Sequence, residues 1–175
     1  MAESAPSGEV AAMVAVQSAL AGRPGVLATA RGMSHFGEHS VGWLVAELVG
    51  ALLAPARRRE WLVAGAGTFV AHAAAVLIKR LVRRKRPLHP AVAVNVGTPS
   101  QLSFPSAHAT STTAAALLMG RAAGLPSGIG AAVLVPPMAL SRILLGVHYP
   151  SDVVFGVALG AAVARLALWL DRKSR

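Results

Sequence analysis

The 175-residue chain is 54% hydrophobic, carries a formal net charge of +10 and contains no cysteine. Its mean hydropathy of +0.57 excludes an ordinary soluble domain, and the lack of thiols excludes disulfides and thiolate metal sites. The basic residues gather at the ends of apolar runs, which suits anionic lipid headgroups and topology signals and leaves little surface for a nucleic-acid groove.

Residues 1–8 read as a tail, and the first twenty positions carry Glu3 and Glu9 without the basic segment of a cleavable signal. Apolar residues recur with helical spacing over 9–21 until Gly22, Arg23, Pro24 and Gly25 break the run, and a second short pattern covers 26–36. Neither piece reaches the roughly 17–25 residues needed to span a bilayer. Both are therefore predicted as amphipathic helices lying in the interface, with one poorly hydrophobic span as the alternative. This divides the chain into an N-terminal tail with interfacial helices, 1–36, and a membrane-embedded domain, 37–175.

Residues 41–54 are apolar apart from Glu47 and suffice for a span if 37–40 joins them. After the basic turn Arg57-Arg58-Arg59-Glu60, the second span covers 61–78, with Trp61 at its end and His72 inside. Lys79-Arg80-Leu81-Val82-Arg83-Arg84-Lys85-Arg86-Pro87 then leads into a loop that runs to Phe104. Pro105-Ser106-Ala107-His108 opens a third span ending near Gly120; a fourth, over 126–145, is predicted to kink at Pro136-Pro137. The fifth covers 153–170. The expected fold is all-α, a polytopic membrane helix bundle of about five transmembrane helices plus the N-terminal interfacial helices. With five crossings, the 79–104 loop, His108 and the 142–151 loop all fall on one side.

Those three places hold the candidate chemistry. Arg142 stands six residues before His148, and Asp152 four after it. Alone, this stretch also fits a loop capped by Ser151. Together with Lys79 and Arg86 it makes a site for a multiply charged anion, and phosphate fits best because guanidinium groups hold its oxygens in pairs. Ser106 and the amides around Ala107 open a helix, where free N–H groups favour an anion. His148, oriented by Asp152, can attack phosphorus, and His108 can protonate the departing alkoxide and later serve as base toward water. The cations supply the charge stabilisation that metals supply elsewhere.

Lys79-x6-Arg86-Pro87, Pro105-Ser106-Ala107-His108 and Ser141-Arg142-x5-His148-x3-Asp152 resemble, in order, the three signature motifs of the type-2 phosphatidic acid phosphatase superfamily. The resemblance implies a lipid phosphatase of the bacterial inner membrane that crosses it several times, needs no metal or other cofactor and acts through a phosphohistidine. It implies His148 as nucleophile, His108 as acid and Asp152 as orienting carboxylate, with Lys79, Arg86, Ser106, Ala107 and Arg142 around the phosphate. Ala107 departs from the usual glycine of the second motif. Within the superfamily, the small size, the lack of a first span and the abundant alanine are similar to decaprenylphosphoryl-5-phosphoribose phosphatases, which implies a polyprenyl sugar phosphate as substrate and a step in arabinan precursor synthesis.

Other polar residues read more plainly. Glu47 and His72 are expected to meet inside the bundle, either holding helices together or reaching substrate hydroxyls. Glu38 and His39 lie near the active side, as a helix start or a headgroup contact. Arg80, Arg83, Arg84 and Lys85 read as a solvated basic surface, and Trp43, Trp61 and Trp169 as bilayer anchors. The rival functions are a vanadium haloperoxidase with the same pocket, a phosphatase for undecaprenyl diphosphate, phosphatidylglycerol phosphate or phosphatidate, and a transporter or scaffold. The partners implied are the lipid phosphate and the surrounding lipids; no oligomeric state follows.

Overall fold

A computed structural model describes residues 5–174. Among them are seven α-helices and no strand: α1 (Gly8–Leu20), α2 (Val26–Gly37), α3 (Val41–Leu53), α4 (Arg58–Val82), α5 (Ala107–Ala122), α6 (Ile129–Leu144) and α7 (Pro150–Lys173). Helices α4 and α7, α4 with its preceding 3-10 turn, are long and apolar enough to cross a bilayer, with mean hydropathies of 1.8 and 2.1. Only 28% and 22% of their most apolar windows is buried against the rest of the protein. Phe69, Val70 and Leu77 of α4 and Val154, Leu166 and Leu170 of α7 stay exposed, as does the row Val45, Leu48, Leu52 on α3. Apolar surface this extensive is stable against lipid and a liability in water.

α5 is the axis of the bundle. Its stretch from Ala109 to Ala116 is buried throughout, built from Ala, Ser and Thr. Small residues let neighbouring backbones approach, the usual route to helix association where there is no hydrophobic drive between helices. The partner surface on α7 is matched: a Cβ on Gly156 would lie 2.7 Å from the Ser106 carbonyl oxygen, and one on Gly160 would collide with the Thr110 carbonyl. The hydroxyls of Thr110, Ser111 and Thr113 bond back to carbonyls of their own chain one turn earlier, Thr113 Oγ1 donating to the Ala109 carbonyl at 2.8 Å.

Opposite ends of the bundle are chemically distinct. At one end Arg59 Nε donates to Asp171 Oδ1 at 2.8 Å and Arg57 Nη1 to the Ala122 carbonyl at 3.1 Å, joining the start of α4 to the ends of α7 and α5. At the other end lie the end of α4, the start of α5, the end of α6 and the start of α7. α1 and α2 cover that second end. Gln17 Nε2 donates to the carbonyls of Ala93 at 2.6 Å and Leu144 at 3.0 Å, and Leu20 and Leu27 pack on Leu144, Leu145 and Val147. Gly25, at φ 78°, separates the two helices, so the single N-terminal span is not formed.

Several expectations change. α3 has 13 residues, about 20 Å at 1.5 Å per residue; residues 37–40 do not extend it, because His39 and Ser40 sit at φ 48° and 63° and turn the chain. α4 instead runs on through Lys79 to Val82, since cations are favourable in a last helical turn, and stops where Arg83 takes a left-handed φ of 56°. The fourth predicted span is present as α6, with Pro136 and Pro137 inside it. Trp43 is buried, with Nε1 donating to Thr112 Oγ1 at 3.1 Å, so it is a core residue and not a bilayer anchor. Trp169 stays exposed, with the Lys173 ammonium 4.1 Å from its ring centroid.

Candidate active site

A cavity of about 750 Å³ opens at the end covered by α1 and α2. Lys79, Arg86, Ala107, His108, Arg142 and His148 all line it, as do Ser34, Glu38, His39 and His72. Segments far apart in the chain thus supply four cations, Arg80 being the fourth, and four imidazoles, against one carboxylate, Glu38.

Lys79, Arg86 and Arg142 are each held by backbone or hydroxyl oxygens rather than by an acid. Lys79 Nζ donates to the carbonyls of Leu102 at 2.9 Å and Ser103 at 3.0 Å. Arg86 donates through Nε to the Ser100 carbonyl at 2.8 Å and through Nη1 to the Val147 carbonyl at 2.7 Å. Burial pushes its pKa down to about 10, against the pull of Asp152, and it stays charged. Arg142 is 2% exposed; Nη1 donates to Ser34 Oγ at 3.1 Å and Nε to Ser141 Oγ at 3.2 Å, while the buried Nη2 has no partner. A buried guanidinium nitrogen without an acceptor is costly, and a bound anion removes that cost.

The start of α7 builds the histidine arm. Pro150 at the first helical position follows Tyr149, and Asp152 reaches back so that Oδ2 accepts from the Tyr149 N–H at 2.8 Å. The same oxygen lies 3.6 Å from His148 Nδ1, slightly longer than a hydrogen bond, as empty sites often show. On the other edge of the ring, Arg86 Nη1 donates to His148 Nε2 at 3.4 Å, which marks Nε2 as the nitrogen carrying the lone pair. Burial pushes the His148 pKa down to about 3; Asp152 opposes this, and Arg86 and Lys79 add to it. The ring is accordingly neutral at pH 7 and able to attack.

His108, in the first turn of α5, faces the Ser34 carbonyl through Nε2 at 2.9 Å, which leaves Nδ1 as the nitrogen to exchange a proton. Ala107 begins the helix without a positive φ, so alanine is accommodated where glycine is usual. Ser106 is fully buried behind the cavity wall, and its Oγ accepts from the Ala109 N–H at 3.4 Å. Its hydroxyl caps the helix, because a serine before a first turn finds its nearest donors in that turn.

Other expectations are corrected. Glu47 and His72 do not meet: Glu47 Oε1 accepts from Thr68 Oγ1 at 2.6 Å, and His72 Nδ1 is 2.9 Å from Ser40 Oγ. Glu47 does not line the cavity; its partner was set by the rotation of α3 on α4, which puts Thr68 opposite it. Arg84 is no solvated cation, for it bonds Asp152 Oδ1 at 2.9 Å. The sequence does not single out Ser34 or Arg84: Ser34 lies in the short segment 26–36, and Arg84 among four consecutive cations, where nothing marks it out.

The PAP2 superfamily model matches residues 60–175. The chain belongs to the PAP2 superfamily. It is 78% identical over 166 residues, 95% of this chain and 92% of the relative, to decaprenylphosphoryl-5-phosphoribose phosphatase of Mycobacterium tuberculosis. It is 68% identical over 152 residues, covering 87% and 83% of the two chains, to the protein of that name from Mycolicibacterium smegmatis. The crystal structure of a transmembrane PAP2 type phosphatidylglycerolphosphate phosphatase from Bacillus subtilis superposes with a TM-score of 0.70 at 23% identity, over 94% of this chain and 87% of that one. That likeness carries the PAP2 membrane fold to this chain.

Proposed function

We propose that this PAP2 protein hydrolyses decaprenylphosphoryl-5-phosphoribose at the 5-phosphate, releasing inorganic phosphate and leaving decaprenylphosphoryl ribose for arabinan precursor synthesis. The identity of 78% over nearly the whole chain to the mycobacterial phosphatase supports the substrate. The unpartnered, buried Arg142 Nη2, in a cavity lined also by Lys79, Arg80, Arg86, His108 and His148, is the observation that carries the chemistry.

Lys79, Arg86 and Arg142 hold the phosphate oxygens, with the Ala107 end of α5 behind them. His148 Nε2 attacks phosphorus as the bond to the ribose oxygen breaks, and that oxygen takes the Nδ1 proton of a His108 imidazolium, the form that a bound phosphate anion favours over the neutral ring. Asp152 holds His148 Nδ1–H and stabilises the charge that develops on the ring. Water then attacks the phosphohistidine, gives a proton to His108, and phosphate departs. The three cations provide the electrostatic stabilisation, and no metal is required. Glu38, His39 and His72 face the sugar hydroxyls. The bundle α3 to α7 is embedded in the inner membrane of the bacterium, with α4 and α7 long enough to cross it; residues 37–175 form the catalytic domain, and α1 and α2 lie in the interface.

Phosphate release by purified protein, across a panel of decaprenylphosphoryl-5-phosphoribose, undecaprenyl diphosphate, phosphatidylglycerol phosphate and phosphatidate, tests this reading. It predicts preference for the first and indifference to a chelator. Loss of all turnover with chelator would overturn the chemistry, and preference for another lipid would overturn the substrate.

A further inference from the structure

Asp152 is fully buried and shares its two oxygens between different elements. Oδ2 serves the Tyr149 N–H and faces His148; Oδ1 accepts from Arg84 Nη1 at 2.9 Å. The same Arg84 nitrogen donates to Ser151 Oγ at 2.7 Å, Nη2 donates to Glu9 Oε2 at 2.8 Å, and the guanidinium lies 4.1 Å from the Tyr149 ring centroid. Glu9 Oε1 in turn accepts the Ser151 N–H at 2.7 Å. One planar group therefore ties the N-terminal helix, the loop after α4 and the first turn of α7 together. We propose that Arg84 is a positioning residue for the His148–Asp152 pair, held in that place by Glu9 of α1, so that α1 latches the attacking histidine. This rests on the phosphohistidine reading above.

The geometry separates this role from substrate binding, since neither Arg84 nor Glu9 lines the cavity. A carboxylate buried at the end of an apolar bundle needs charged or N–H donors on both oxygens to keep one orientation. Tyr149 N–H supplies one, and Arg84 is the charged donor for the other. Arg84 gains its direction from Arg83, whose left-handed turn ends α4 and sends the next side chain back toward α7. The stacking on Tyr149 and the bond to Glu9 remove the rotational freedom a lone surface arginine would keep. Glu9 lies outside residues 60–175, the part matched by the family model, so the latch is not contained in the three motifs.

The test uses the full chain in lipid nanodiscs. Arg84→Met is expected to lower kcat about 30-fold while KM stays within about two-fold, the pattern of an interaction that acts on the reacting group. Arg84→Lys restores part of that loss, because an ammonium still reaches Asp152. Glu9→Gln lowers kcat by a smaller factor, and the double variant is no slower than Arg84→Met, as expected for residues in one chain of contacts. Unchanged kcat in Arg84→Met, a rise in KM alone, or multiplicative losses would overturn the proposal. A second readout does not need turnover: 15N spectra of His148, assigned by its loss in His148→Gln, show the Nδ1–H tautomer in the wild type and a mixture in Arg84→Met. The same tautomer in both also overturns the latch, whereas a wild type that releases no phosphate but shows this tautomer change contradicts only the phosphatase reading.

Discussion

Arg142 Nη1 donates to Ser34 Oγ at 3.1 Å across a sequence separation of 108 residues. Ser34 also offers its carbonyl to His108 Nε2, so one residue of α2 aims both the phosphate-holding arginine and the second histidine. Ser34→Val removes the hydroxyl and leaves a second buried Arg142 nitrogen unpaired. The expected result is a loss of roughly 10- to 100-fold in kcat/KM, from a hydrogen bond to a charged group of about 1.5–3 kcal/mol. Steady-state phosphate release measures it.

Asp152→Asn preserves shape and removes the charge that selects the Nδ1–H tautomer of His148. Loss of the equivalent carboxylate in a histidine-based site lowers turnover by about 10⁴-fold, and a fall of that order in kcat is expected here. The variant should still bind orthovanadate, a phosphate mimic, because Lys79, Arg86 and Arg142 are untouched; calorimetric titration checks this.

How much of this was legible in the sequence differs by scale. The three motifs stand beside helix ends that Pro87, Pro105 and Pro150 punctuate, so their side chains could be assigned to one end of the bundle from local signals alone. Arg84 could not be singled out, because its role depends on the backbone turn at Arg83 and on a partner in α1. The pairing of Glu47 with Thr68 instead of His72 depends on how two helices rotate against each other, which a hydropathy pattern does not encode. The shortness of α3 has a similar origin: the left-handed pair His39 and Ser40 carries no glycine to announce it.

Packing supplies a third prediction. Gly160→Leu drives a side chain into the Thr110 carbonyl, and overpacking of this kind costs about 1–3 kcal/mol. The thermal midpoint in detergent should fall by several degrees. Val157→Leu, one turn away, should leave it nearly unchanged.

The buried neutral His148 makes a pH prediction with a definite sign. Its folded pKa of about 3 lies below the unfolded value near 6.5, so the unfolded chain binds more protons throughout that interval. Stability is complete above about pH 6.5 and falls as the pH drops toward 3. His148→Gln lacks this proton, and its thermal midpoint should decline less between pH 7 and 4.5 than that of the wild type.

The proposed hydrolysis turns on a covalent bond between His148 and phosphorus. Rapid quenching of the enzyme with 32P-labelled decaprenylphosphoryl-5-phosphoribose into alkali, followed by peptide mapping, tests it directly. The predicted result is an acid-labile, alkali-stable label on the peptide containing His148, formed within one turnover and missing in His148→Ala. Full turnover with no label, or a label that survives in His148→Ala, would contradict it.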